Sequence, residues 1–138
     1  MELAAIPYLI DANVYLGYVN EHDSLHDQAD EVITNHLNAG STFILLDHII
    51  QEIATVLLYR REHEILDSFI KSLSSDEKLF IVDTPIIWLE NAVVLAKKQS
   101  YQPKISMTDW LLLSRSIITG APILTFDKQL LAASKKLC

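Results

Sequence analysis

Pro7-Tyr8-Leu9-Ile10-Asp11-Ala12-Asn13-Val14-Tyr15-Leu16 begins as a short apolar run and ends it on an acid followed by a polar residue, after which apolar residues resume at Val14. A buried strand that carries a carboxylate at its C-terminal tip and turns into a helix has this pattern. Ile123-Leu124-Thr125-Phe126-Asp127, near the other end of the chain, repeats it. In a parallel sheet, strand tips a hundred residues apart in sequence can be neighbours, so Asp11 and Asp127 are candidates for opposite sides of one site.

Between them the pattern alternates. Leu25 to Leu37 reads as an amphipathic helix stopped by Gly40, with Asp23 or Ser24 able to cap it. Thr42 to Leu46 reads as a second strand, and Asp47 as the N-cap of a helix that continues, or breaks once near Arg60-Arg61-Glu62, to Leu73. Ser74 to Glu77 reads as a turn and Leu79 to Val82 as a third strand. Thr84-Pro85 has the N-cap and first-turn chemistry of a helix running to about Gln99. Ser100 to Ile105 is a loop, and Ser106-Met107-Thr108-Asp109 opens a helix that ends before Gly120. Pro122 to Phe126 is the fourth strand, and Lys128 to Lys136 the last helix. Strands alternating with helices predict an α/β fold with a parallel sheet covered on both faces. Ligands of such sheets bind beyond the carboxyl ends of the strands, where the strand order reverses.

The 138 residues suit one domain, and half of them are apolar. The mean hydropathy of +0.22 is high for a small soluble monomer and suggests a face shared with a partner or a second copy. No apolar run reaches the roughly 18 residues of a membrane span, and no basic segment precedes an apolar one at the start. The single cysteine, Cys138, excludes a disulfide framework, so the expected location is the cytoplasm. The net charge of -7 argues against a broadly basic nucleic-acid surface, although clustered site acids would account for part of it.

Each acid has an ordinary explanation. Asp11 and Asp127 stand where N-caps stand, Ser106 and Asp109 have the spacing of a capping box, and Glu52 lies on the margin of an apolar helical stripe beside Ile49 and Val56. Their combination requires more. With the first strand central and the second and fourth beside it, all four acids point to one end of the sheet. Two carboxylates about 4 Å apart repel by about 1 kcal/mol in water and about 4 kcal/mol at an effective dielectric near 20. Protons or a divalent cation must relieve that repulsion. An all-oxygen donor set without Cys or His favours Mg²⁺ or Mn²⁺ over Zn²⁺. Such ions activate water for in-line attack on a phosphodiester, which requires no side-chain nucleophile.

Leu9-Ile10-Asp11-Ala12-Asn13-Val14, Gln51-Glu52-Ile53, Ser106-Met107-Thr108-Asp109 and Leu124-Thr125-Phe126-Asp127, in that order, resemble the PIN-domain family and, within it, the small VapC-like toxin ribonucleases. The resemblance implies one PIN-like domain over 1–138, a three-layer α/β/α fold with a central parallel sheet of about four strands. The family's usual fifth edge strand has no counterpart before the chain stops at Cys138. It implies a metal-dependent endoribonuclease, the toxin of a toxin–antitoxin pair, with Asp11, Glu52, Asp109 and Asp127 holding Mg²⁺ or Mn²⁺ and Asn13, Thr125 and Ser106 in support. The implied partners are an RNA substrate, an antitoxin protein and a second copy in a homodimer. Lys104 and Lys128, next in sequence to the acidic site, are the candidates for phosphate contact.

Other classes fit less well. A non-catalytic PIN-like binding module would tolerate loss of an acid, and all four are present. A receiver domain requires adjacent acids after the first strand, and a haloacid-dehalogenase-like phosphatase requires Asp-x-Asp where this chain has Asp11-Ala12-Asn13. The His22-Asp23 and His26-Asp27 pairs lack the further helical ligands of a His-Asp phosphohydrolase, and His36, His48 and His63 do not supply them. His26 is expected to pack or cap at a helix start, and Trp88 and Trp110 to serve core or interface rather than base stacking.

Overall fold

Apolar runs bounded by acids and glycines become strands, the central ones buried and the edge strand exposed at Phe80 and Ile81. The computed structural model describes residues 6–99 and 105–138. Its elements are β1 (Pro7–Ile10), α1 (Ala12–Val19), α2 (His26–Asn38), β2 (Thr42–Leu46), α3 (Asp47–Tyr59), α4 (His63–Ser75), β3 (Leu79–Val82), α5 (Ile86–Lys98), α6 (Met107–Thr119), β4 (Ile123–Leu124) and α7 (Lys128–Leu137). The four strands form one parallel sheet in the order β3-β2-β1-β4. Leu9 lies opposite Ile44 on one side and Ile123 on the other, and Leu45 opposite Ile81. Leu9, Ile10 and Leu45 are buried, as a sheet covered on both faces requires.

The order places the reversal. From β1 the chain steps outward to β2 and β3, then returns across the sheet to β4 on the other side of β1. Right-handed crossovers then put α1 to α4 on one face and α5 and α6 on the other. The packing agrees: α1 contacts α2 and α3, α3 contacts α4, and α5 contacts α6, which also contacts α7. The switch point therefore lies between the carboxyl ends of β1 and β4, the strands followed directly by Asp11 and Thr125.

Several boundaries differ from the sequence expectation, each for a local reason. The expected fourth strand, Pro122 to Phe126, pairs only at Ile123–Leu124. Beyond Leu124 the backbone turns to side chains: the Phe126 N–H donates to Asn13 Oδ1 at 3.1 Å, and the Asp127 N–H to Thr125 Oγ1 at 3.0 Å. Asp47 is the first residue of α3 rather than its cap, and Thr84 is not the cap of α5, which is Pro85. The two meet instead, Thr84 Oγ1 donating to Asp47 Oδ1 at 2.6 Å. Leu25 caps α2 without a side-chain bond, while Asp23 Oδ1 accepts the Leu25 N–H at 2.9 Å. The long middle helix does break, at Arg61 with φ +56°, and α4 runs into the expected turn as far as Ser75. Among the described residues no strand follows α7, and no helix is long and apolar enough to cross a membrane.

Candidate active site

Asp11 closes β1 and caps α1, its Oδ1 accepting the Ala12 N–H at 2.8 Å. Asp127 caps α7, its Oδ1 accepting from Gln129 and Leu130 at 2.9 and 3.2 Å. The capping roles are real, and the same geometry places both acids at the switch point. Thr125, buried between them, donates its hydroxyl to Asp11 Oδ2 at 2.7 Å. The Thr125 hydroxyl oxygen in turn accepts the Asp127 N–H at 3.0 Å and lies 3.5 Å from Asn13 Nδ2. Asn13 thus grips the end of β4 through the Phe126 amide and reaches Thr125 with its own. Asn13 and Thr125 bind the tips of β1 and β4 into one unit.

Asp109 enters from the first turn of α6. Ser106 is the N-cap of that helix, accepting the Asp109 N–H at 3.2 Å and sharing a 2.9 Å hydrogen bond with Thr108. The following turns of α6 are buried through Trp110, Leu111, Leu112 and Leu113, which fixes the helix start against the sheet, while Ile117 and Ile118 near its end are exposed. Glu52 lies in the second turn of α3, exposed between the buried Ile49 and Ile53.

The electrostatics brings these acids together. Burial raises the Asp11 carboxyl above its ordinary value, the Thr125 and Ala12 hydrogen bonds oppose this, the Asp127 charge adds to it and His48 opposes it. Glu52 is raised by burial and then by Asp11 and Asp109. Asp109 is raised by burial and by Asp11 and Asp127, against the pull of Ser106. Asp11 acts on Glu52 and Asp109, Asp109 on Glu52, and Asp127 on Asp11 and Asp109, so ionising all of them at once is unfavourable. Of the expected phosphate contacts, Lys128 is exposed immediately after Asp127, and Lys104 lies outside the described residues.

The His-Asp pairs have other employment. Asp23 Oδ2 lies 3.0 Å from Arg60 Nη1, and His26 Nδ1 is bonded to the Gly17 carbonyl at 2.7 Å, the helix-start packing expected of it. Trp110 is core, and Trp88 stacks under the Arg115 guanidinium at 3.6 Å.

A model of the PIN domain matches residues 8–136 of this sequence. The chain belongs to the PIN-domain family. The family is one of nucleases, and this PIN domain has its parallel sheet flanked by helices. The crystal structure of VapC20 of Mycobacterium tuberculosis, titled a Sarcin-Ricin loop cleaving toxin, has a similar fold: TM-score 0.74, 16% identity, 91% of this chain and 94% of that one covered. A search of the curated proteins gives no match.

Among the described residues, no three His, Cys, Asp or Glu side chains converge closely enough to enclose an ion as they stand. The four acids of this PIN domain nevertheless suit a hard, partly hydrated divalent cation, which needs few protein oxygens. Their donors are all oxygen, and their mutual repulsion is what a cation relieves. Sequence reasoning passed over one neighbour. His48, one helical turn before Glu52, has both ring nitrogens enclosed and without a hydrogen-bond partner. The spacing of four on one helix was available as a signal; the missing partners appear only in three dimensions.

Proposed function

We propose that this PIN-domain protein is a metal-dependent endoribonuclease that hydrolyses RNA phosphodiester bonds at Asp11, Glu52, Asp109 and Asp127, with Mg²⁺ or Mn²⁺ as its ion. The observation that carries this reading is that Thr125 ties the Asp11 carboxylate to the Asp127 backbone at the point where the strand order reverses, and the responses of Glu52 and Asp109 to Asp11 support it. When bound, the ion supplies Lewis acidity at a phosphate and a more acidic water. The chain's own residues do the rest. Asp11, just past the tip of β1, and Asp127, at the N-cap of α7, would hold the ion, and Asp109 and Glu52 would complete the set. Thr125 fixes the Asp11 carboxylate through its 2.7 Å hydrogen bond, and Asn13 holds Thr125 and the Phe126 amide in place. Ser106 fixes the start of α6 and with it Asp109. Lys128, exposed and next to Asp127, would meet a phosphate oxygen on this reading.

RNA as the substrate class and a toxin role draw on the likeness to VapC20, a Sarcin-Ricin loop cleaving toxin, and an antitoxin protein as partner draws on the resemblance to the VapC-like toxins. A non-catalytic binding module is the competing reading, since capping accounts for Asp11 and Asp127 on structural grounds alone. Capping does not account for Glu52, which is no part of a helix terminus.

The test is cleavage of a mixed pool of structured and single-stranded RNAs in Mg²⁺, in Mn²⁺ and in EDTA. Cutting should require the ion and should fall in Asp11→Asn by more than the roughly 100-fold typical of losing an outer-shell residue. Ion-independent cutting, or cutting undiminished in the variant, would overturn the reading. A binding module would show RNA or protein association with no cleavage in either ion.

A homodimer in the cytoplasm belongs to the same reading. Ile86, Ile87, Val94, Ile117 and Ile118 are exposed along α5 and α6, between 44% and 70% of each residue's surface. Burying them in a second copy removes that cost. Light scattering should find a dimer for the natural sequence and a monomer for Ile117→Glu; a monomer in both would refute it.

A further inference from the structure

We propose that His48 is a positioning residue of the acidic site, its imidazole steadying the Asp11 and Glu52 carboxylates when a divalent cation is held there. The inference rests on the metal-dependent reading above and deepens it.

His48 is the second residue of α3, two positions past the end of β2. β2 pairs with β1 in parallel register, Leu9 opposite Ile44, so the chain leaving Leu46 emerges beside the strand tip that carries Asp11. His48 and Asp11 accordingly act on each other's ionisation. Glu52 follows His48 by four residues on the same helix, which puts the two side chains on one face. His48 therefore shares a helix face with Glu52 and starts from the strand beside the one that carries Asp11.

Its hydrogen bonding is anomalous for a packing residue. Both ring nitrogens are enclosed and neither has a partner. The adjacent Asp47 does not supply one: its Oδ1 is 4.0 Å from His48 Nδ1 and is taken by the Thr84 hydroxyl at 2.6 Å and the His48 amide at 2.8 Å. His26, by contrast, is bonded at 2.7 Å. An enclosed imidazole without partners costs stability that a leucine of similar size would not. Burial disfavours the charged ring, against the attraction of Asp47 and Asp11. A neutral imidazole offers one N–H donor and one acceptor nitrogen. The donor suits a carboxylate drawn inward by a cation, as outer-shell donors commonly orient carboxylates at metal sites.

Calorimetric titration of the full chain with Mn²⁺, without RNA, tests this alongside melting of the metal-free proteins. His48→Leu should bind Mn²⁺ about tenfold more weakly, or about 1.4 kcal/mol, while its metal-free melting temperature equals or exceeds that of the natural sequence. His48→Gln, which keeps an N–H donor, should recover most of the affinity. Unchanged affinity in His48→Leu overturns the proposal. So does a joint loss of affinity and metal-free melting temperature that His48→Gln does not rescue, because that pattern is structural. Asp11→Asn is the separate control: if it binds Mn²⁺ as the natural sequence does, the metal-dependent reading fails, whatever His48 does.

Discussion

Asp11 illustrates how one residue carries two duties. Its Oδ1 caps α1 and its Oδ2 takes the Thr125 hydroxyl, yet burial and Asp127 still raise its carboxyl above the ordinary 3.8. Below that value the carboxyl is protonated in the folded and the unfolded chain alike. Between it and the raised folded value, the unfolded chain has released its proton while the folded chain keeps it. Stability therefore falls as pH rises through this window and levels off above it. In EDTA, Asp11→Asn should melt higher than the natural sequence at neutral pH, with the difference closing as pH falls toward 3.8. The lowered Asp47 titration is common to both proteins and cancels in the difference. Asp11→Asn melting lower at neutral pH would mean that its hydrogen bonds outweigh the charge. At this scale the acids were legible because a carboxylate after an apolar run is rare enough to notice. Asp47 and Thr84 were misread as caps because their partnership joins α3 to the end of β3, which no local pattern reveals. The unpartnered nitrogens of His48 lay equally out of reach, since a missing partner is a statement about every surrounding side chain.

Elements were most legible where the hydrophobic run and its bounding residues agreed. Thr42–Leu46 and Leu79–Val82 are the strands expected, and α6 opens at Ser106 and closes at Gly120, whose φ of +78° suits glycine. The run from Pro122 to Phe126 overstated β4, because the backbone past Leu124 is claimed by Asn13 and Thr125 rather than by a neighbouring strand. The packing of α1 on α2 had no sequence signature beyond Gly17. A Cβ there would stand 3.0 Å from Ala29 Cβ and 3.4 Å from the Leu25 carbonyl oxygen. Alanine gains up to about 1 kcal/mol of helix propensity over glycine, whereas overpacking a fixed contact costs about 1–3 kcal/mol. The clash should win, because the His26 bond to the Gly17 carbonyl pins the two helices together. Urea unfolding should find Gly17→Ala less stable by about 1 kcal/mol, and Ala29→Gly should cost less in that background than alone. Strict additivity of the two changes would show that the helices separate freely.

For the molecule as a whole, the strand order was the decisive inference and it was available in outline. Two strand tips bearing acids, with two outward strands between them, leave a parallel sheet that reverses beside its first strand, as β3-β2-β1-β4 does. Charge was the feature that resisted. The chain has 11 Lys and Arg against 18 Asp and Glu, and of the arginines Arg60 pairs with Asp23 while Arg115 stacks on Trp88. A ribonuclease of this composition cannot hold RNA through a broad basic surface. On the proposed reading it would rely on the ion at its acids and on a few cations such as Lys128. Single-stranded RNA binding loses affinity with salt at a slope of about -0.7 per phosphate neutralised. With one to three contacts, the slope should be no steeper than about -2. Lys128→Ala should flatten it by about 0.7. Anisotropy titrations across a range of NaCl at fixed Mg²⁺, in an Asp109→Asn background to suppress cleavage, would measure both. A slope several times steeper would require a large cationic face that the described residues do not carry, and would move RNA recognition from this chain's own surface to an assembly of copies.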